Sequence, residues 1–515
     1  MLAPFGVGTI DQSLLSVLQV KHGFVRLFGL AGKTVILDEV HAYDVYTSTL
    51  LDRLLEWLRA LGCRVMLLSA TLPESRRKAL LKAWTGGESE LPSASYPRLL
   101  IADDRGVKAV PFAASPGREA RVHLSGVPEP DLPARLGQML QAGGCAAVIR
   151  NTVGQAQDTF RLLRDRLSAE DVEVDLLHAR YPFDDRQQRE TATVARYGKG
   201  SDRHAENPSR PHRSVLIATQ VIEQSLDLDF DMMVSDLAPI DLLLQRIGRL
   251  HRHHRPDRPV AQAALWLIEP ELDDSLVPKF GPTEFIYERS VLLRTWLLLQ
   301  DRSILRLPEE TEGLIEAVYG DDPNGMLSTP NATCRKALDE ADRETHRLAT
   351  DHERRARQLT IGDPHGGRGP LTEFCQQLDE ENPEVHASLQ AATRLTRPSV
   401  SVVLLYQMDG EVSFDRDGTD PIHIAATPSL AVTKRLLGRA FSLQHAGVVG
   451  ALIDESVPSA WRRSSLLRFH RLLCLDCHGE ASVGNWRIRL DDDLGITITR
   501  LSPDDHHDVQ LQPDR

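Results

Sequence analysis

The sequence predicts an α/β protein of two successive parallel-sheet layers, a helical stretch and a small mixed α/β region. Three observations predict it. First, Thr34-Val35-Ile36-Leu37 is an apolar, β-branched run that passes straight into Asp38-Glu39, as a buried parallel strand does at the carboxyl end where α/β sheets place ligands. Second, strand-like and helix-like segments alternate, and do so twice over, between residues 34 and 268. Third, the texture turns helical after Pro270, and short alternating strands return after Ser399. The boundaries implied are 1–125, 126–269, 270–390 and 391–515.

Composition bounds the partners. The 515 residues are 41% hydrophobic and 26% charged, an ordinary globular balance for about three domains. No apolar run reaches membrane-spanning length and no basic-then-apolar leader opens the chain, so the expectation is a cytoplasmic protein without a membrane partner. The six cysteines are scattered and read as reduced. With a net charge of −13, nucleic-acid binding has to come from local basic patches, and Arg246 to Arg258 is the candidate run.

In chain order, Gly8-Thr9 reads as a β-to-α turn, with Asp11 as an N-cap and an apolar helix over 13–20. Gly32-Lys33-Thr34 ends like a phosphate-binding P-loop, but Leu27 stands where the first glycine belongs and a strand follows instead of a helix; it is a turn. Asp38 suits Mg²⁺ held through water, and Glu39 suits a water attacking a terminal phosphate. His41 stands where it could relay nucleotide state. Tyr46, Leu50, Leu54, Trp57, Leu58 and Leu61 recur at helical spacing over 44–61, closed by Gly62. Arg64–Leu68 is the next buried strand and ends at Ser69-Ala70-Thr71. Leu99–Ala102 is a strand, and 103–130 reads as a linker.

The second layer runs helix 132–141, strand 146–150 with Asn151-Thr152 at its end, helix 153–167, and strand 172–177 ending at His178-Ala179-Arg180. A Gly/Ser/Pro-rich basic insertion spans 197–213. Strand 215–218 ends in Thr219-Gln220, followed by Asp227. Strand 232–235 precedes Gln245-Arg246-Ile247-Gly248-Arg249-Leu250-His251-Arg252, which opens or lies on a helix, and 264–268 is a last strand. Residues 285–299 are helical, 340–357 a solvated helix or disordered, and 402–406, 486–490 and 496–498 are strands. Cys474-Leu475-Asp476-Cys477-His478 matches a haem-attachment spacing, but no leader and no second ligand pair support haem or zinc.

Each motif alone has a bland reading, such as a solvated face or a strand end. Their order is more specific. Gly8–Gln12, Val35–Asp44, Ser69–Thr71, Asn151–Thr152, His178–Arg180, Ala218–Asp227 and Gln245–His253 together resemble superfamily 2 helicases of the DExH kind. Among these the set is similar to the signature helicase–nuclease of type I CRISPR systems, over Gly8 to about His254. That resemblance implies two RecA-like domains, the first incomplete here, clamping ATP with Mg²⁺ on Asp38. In that scheme Asp38, Glu39 and His41 are catalytic, with Arg249 and Arg252 as arginine fingers. Asp227 reaches the ribose side, Gln245 the phosphates, and Ser69 and Thr71 couple hydrolysis to movement. Gly8, Thr9, Asn151, Thr152, His178, Arg180, Thr219 and Gln220 contact nucleic acid. The partners implied are single-stranded DNA and an RNA-guided Cascade-type surveillance complex. The family's HD nuclease and P-loop precede the Gly-Thr motif, and 37 residues precede Asp38 here, so a separate chain or upstream region is expected to supply both. The alternatives are an inactive DNA- or Cascade-binding remnant and an RNA helicase.

Overall fold

The computed structural model describes residues 3–20, 22–40, 44–113, 120–202, 209–223, 226–320, 325–364, 399–453 and 455–501. They fall into two units. The first gathers Met1–Ser125, Leu237–Gln245 and Glu269–Thr396; the second gathers Gly126–Asp236, Arg246–Ile268 and Arg397–Arg515.

In the first unit, strands Thr34–Leu37 and Arg64–Leu67 pair in parallel from Thr34↔Arg64 to Leu37↔Leu67. Between them runs the helix Val45–Ala60, whose Asp44 cap accepts the Thr47 amide at 2.7 Å. Tyr46, Leu50, Leu54, Trp57 and Leu58 bury its inner face against Val35 and Leu37. Gly62, at φ +69°, makes the left-handed turn that admits the second strand. Both strands were expected to be buried throughout, and that expectation is corrected. Ile36 is 58% exposed, Met66 50% and Leu68 43%. The helical core covers one face of this two-stranded sheet, so alternate residues point away from it.

Asp11 is not a cap: Thr9 holds the N-cap position of a short helix, Ile10–Leu14, with no side-chain cap bond, and the apolar run continues as a 3₁₀ turn, Leu15–Val17. The 103–130 linker is also corrected. Arg98–Asp103 and Gly106–Pro111 form an antiparallel hairpin, and Ala120–Val127 pairs with Ile304–Leu307. The Asp103 carboxylate takes the Arg105 amide at 2.8 Å, which makes the tight turn the composition concealed. The charged stretch after 331 is one long helix, Ala332–Leu359, capped by Asn331. Its end docks by Ile361 N to Val17 O (2.8 Å) and by Trp57 Nε1 to Gly362 O (3.0 Å).

The second unit holds a parallel sheet in the order Ala264–Ile268, Met232–Ser235, Gly144–Ile149, Arg213–Ala218, Glu173–Leu177. Its central strands are buried on both faces, as a helix-covered parallel sheet requires. Register aligns the carboxyl ends: Ile149 lies opposite both Ala218 and Ser235. The C-terminal part of the unit centres on Val400–Met408, which pairs antiparallel with Glu411–Ser413 and Ala440–Leu443 and parallel with His470–Leu475. A three-stranded meander, Glu480–Val483, Trp486–Asp491 and Gly495–Arg500, follows. The Cys474–His478 stretch turns into that meander, with the Asp476 carboxylate accepting the His478 and Glu480 amides at 2.8 Å.

Candidate functional site

At the first sheet, Leu68 N donates to Leu37 O (2.8 Å) and Val40 N to Leu68 O (3.2 Å). These bonds bring the Asp38–Glu39 corner beside Ser69. Asp38 and Glu39 are both exposed, and Asp38 Oδ1 accepts the Glu39 amide at 3.0 Å. Glu39 stands at φ +56°, a left-handed conformation costing a non-glycine residue roughly 1–2 kcal/mol. Strain of this kind collects where a side chain must be aimed. The Ser69 hydroxyl donates to Thr71 O at 2.9 Å and closes its own loop. Gly32-Lys33 is a turn running into the strand, with Lys33 Nζ donating to Ala3 O (2.6 Å). His41 lies outside the described residues. Gly8 and Thr9 are exposed.

At the second sheet, the strand ends converge on one buried arginine. Arg246 is fully buried; its Nε donates to Glu223 Oε1 (2.8 Å), its Nη1 to Ser235 Oγ (2.7 Å) and its Nη2 to Asn151 Oδ1 (3.1 Å). Gln220 Nε2 donates to Asn151 O (2.8 Å), and Asp236 Oδ2 accepts the Asn151 amide (2.7 Å) and Arg150 Nε (3.2 Å). Three motif segments and the Ser235–Asp236 strand end are thus wired together. Burial pushes the Asp236 carboxyl above its ordinary range, and the Arg150 charge only partly offsets it. Sequence reasoning placed Arg246 in a basic run and missed Arg150, Glu223 and Asp236. The available signal was an arginine among apolar helix positions, Leu243 and Ile247, which marks a buried charge needing a carboxylate.

The Gln245–Arg252 stretch closes a helix, Ile240–Ile247, and does not open one. Beyond it the chain turns: Arg249 N donates to Arg246 O (2.9 Å), and His251 takes φ +46°. Arg249 is buried, with Nε donating to Ile222 O (3.1 Å) and Nη2 to Glu223 O (2.6 Å). Arg252 Nε meets Asp227 Oδ1 at 2.5 Å. Burial acts to raise the Asp227 carboxyl, but Arg252 and His253 hold it below the usual carboxylate range. Arg255 meets Asp229 at 2.5 Å, and Arg258 meets both Asp229 (2.7 Å) and Asp231 (2.6 Å). The expectation of a basic nucleic-acid patch over 246–258 is therefore corrected. Its charge is answered inside the unit by Glu223, Asp227, Asp229 and Asp231.

The nucleic-acid set divides. Thr152 caps the helix Val153–Leu167, accepting the Gln155 amide at 3.2 Å and donating to Gln155 Oε1 at 2.7 Å. Asn151 and Thr219 are buried. His178 is fully buried; its Nε2 donates to Leu494 O (3.0 Å), its Nδ1 accepts the Arg180 amide (3.1 Å), and its ring stacks on Tyr181 at 4.4 Å. Burial first, and the Arg180 charge second, hold the imidazole neutral, with its pKa pushed down to about 3. A direct nucleic-acid contact by the His178 side chain is a further correction. Arg180 and Gln220 are partly exposed.

A parallel sheet with motif residues at its carboxyl ends defines a RecA-like helicase class, and the comparisons agree. The family profile described as "CRISPR-associated nuclease/helicase Cas3, C-terminal" matches residues 142–255, and the one described as "Cas3 C-terminal domain" matches 394–496. The chain is 38% identical to the CRISPR-associated endonuclease/helicase Cas3 of Thermus thermophilus, over 96% of this chain and 57% of that one. It is 30% identical to the Streptococcus thermophilus Cas3 over 97% and 54%. The solved structure of T. fusca Cas3 with AMPPNP superposes with TM-score 0.82 at 32% identity, over 96% of this chain and 57% of that one. The chain belongs to the Cas3 family of type I CRISPR systems, and it spans about half the length of the curated relatives it matches.

Proposed function

We propose that this chain is the helicase part of a type I CRISPR interference helicase–nuclease, an ATP-driven translocase on single-stranded DNA at a target opened by an RNA-guided complex. The observation that carries the reading is the Arg246 hub, which ties the Asn151, Gln220, Glu223 and Asp236 segments into one rigid rim at the carboxyl ends of a parallel sheet. Asp38 beside Ser69 at the other sheet supports it. T. fusca Cas3 has been solved with AMPPNP, ADP and ATP, and a similar chain with TM-score 0.78 at 31% identity lies in a "CRISPR RNA-guided surveillance complex, pre-nicking". Glu39 would orient the attacking water. Arg249, Arg252 and Gln245 would answer phosphate charge, with Asp227 toward the ribose. Exposed Gly8 and Thr9, with the partly exposed Thr152, Arg180 and Gln220, would hold strand phosphates without reading sequence.

Mg²⁺ fits Asp38. It takes one or two carboxylates and completes its shell with water and phosphate oxygens, and an exposed carboxylate at a strand end suits that. Among the described residues no group of three metal-ligating side chains forms a closed cage. When bound, Mg²⁺ would neutralise charge on the terminal phosphates. The phosphate cradle fits less well, because Gly32-Lys33 leads into a strand and not a helix. The chain alone is accordingly expected to lack DNA-stimulated ATP hydrolysis, and the same chain joined to a segment supplying a P-loop to show it. Glu39→Gln in the joined protein should abolish that turnover; turnover retained in the variant would sink the reading. The alternative of a DNA- or Cascade-binding remnant is favoured by one feature, the Arg249 donors committed to Ile222 O and Glu223 O.

A further inference from the structure

The C-terminal part of the second unit reaches back onto its parallel sheet at one turn, Asp491–Gly495. Leu494 enters the hydrophobic core of that sheet beside Phe160 and Leu176. Gln157 Nε2 donates to both Leu494 O (2.8 Å) and Ile496 O (3.1 Å), His178 Nε2 to Leu494 O (3.0 Å), and Tyr181 Oη to Asp493 O (2.8 Å). In return, Ile496 N donates to Arg180 O at 2.8 Å. Gly495 sits at φ +67°, and a Cβ placed on it would lie 2.5 Å from Arg180 O and 2.7 Å from the Tyr181 ring. Both the backbone conformation and the space demand glycine here.

The acids of this turn face elsewhere. Asp491 Oδ1 accepts the Asp493 and Leu494 amides (2.9 Å), Asp492 pairs with Arg416 (3.4 Å) and Asp493 with Arg164 (2.7 Å). Arg180 has no ion pair among the described residues, although burial lowers its pKa with no carboxylate to counter it. A half-buried arginine with no counter-charge among the described residues is suited to take an oxyanion, which its planar donor fork binds well.

We propose that the Asp491–Gly495 turn is the positioning device for the His178–Tyr181 loop, with Gly495 as the residue it depends on, so that the C-terminal domain aims Arg180 at a phosphodiester of the bound strand. The claim rests on the nucleic-acid reading above and deepens it: a domain without a motif of its own sets the geometry of a motif loop. His178 serves the same end, as a spacer that bonds both sides of the joint.

Two measurements on the full chain test this. Hydrogen exchange of Gly495→Ala should rise about tenfold at the Arg180–Tyr181 and Ile496 amides, and Asp491→Ala, which loosens the turn without a clash, should do the same more weakly. Unchanged exchange in both variants overturns the docking claim whether or not DNA binds. Anisotropy with fluorescent oligothymidylate then reads the phosphate. Arg180→Gln should weaken binding and lower the log–log salt slope by about 0.7, the value of one single-strand phosphate. Gly495→Ala should lower it equally, and the double variant no further than either. Additive losses would overturn the coupling. If the parent chain binds no oligothymidylate, the nucleic-acid reading fails and the phosphate half falls with it, while exchange still judges the joint.

Discussion

Arg246 shows how much one side chain can organise. Its guanidinium replaces water with Glu223, Ser235 and Asn151 in the interior of the second unit. Arg246→Met should therefore cost ~3–5 kcal/mol in urea unfolding, because Glu223 is left charged and buried; a loss below ~1 kcal/mol would show the hub to be dispensable. His178 gives a pH test. Its native pKa of about 3 lies below the unfolded value near 6.5. Between those values the unfolded state binds one more proton, so stability should fall as pH drops, by about 1.4 kcal/mol per unit from this group. His178→Gln keeps a donor and an acceptor but cannot titrate. It should flatten the pH dependence of the melting temperature between pH 6 and 4, and an unaltered slope would assign the effect elsewhere. The role of Arg246 was not legible in sequence, because a basic run does not show its partners; His178 taken alone reads more often as a satisfied structural histidine, which is how it is held here. The strand leading into Asp38-Glu39 was legible as an apolar, β-branched run, whereas the two acids alone read equally well as a solvent-facing strand end.

At the scale of elements, the central strands of the second sheet were readable because burial on both faces leaves an unbroken apolar run, as in Val215–Ala218. Thr34–Leu37 carries the same pattern, yet helices cover only one of its faces, and a run of letters does not say how many neighbours a strand has. The hairpin Arg98–Pro111 was missed because exposed strands carry glycine, lysine and proline like a linker. The bare face of the two-stranded sheet has a measurable consequence. Ile36→Lys with Met66→Glu should reduce self-association in light scattering while leaving the melting temperature within about 1 °C, since surface changes away from special features move stability little. Aggregation unchanged by both substitutions would place the adhesive surface elsewhere.

Over the whole molecule, a net charge of −13 and a basic run closed by its own acids leave few cations for a polyanion. Single-stranded DNA binding should be weak, tolerant of sequence and salt-dependent, with a slope of about 0.7 per phosphate held. A slope near zero or a sharp preference for one sequence would contradict this. The ordered motifs made the family legible from sequence. The internal pairing of Arg252, Arg255 and Arg258 was not, because their partners, Asp227, Asp229 and Asp231, lie on another segment some 25 residues upstream, and an unfolded reading sees only a basic stretch.

The joint between Gln157 and Leu494 closes over 337 residues of chain. A ribosome adding about 5–20 residues per second needs roughly 17–70 s between the two. For that interval the second sheet emerges with its Leu176 end uncovered and Gln157 without its carbonyl partners. The nascent protein thus spends a long period in a state that neither half of the finished joint can protect. Slower translation or heat during that window should select for chaperone holding well before the finished chain is at risk.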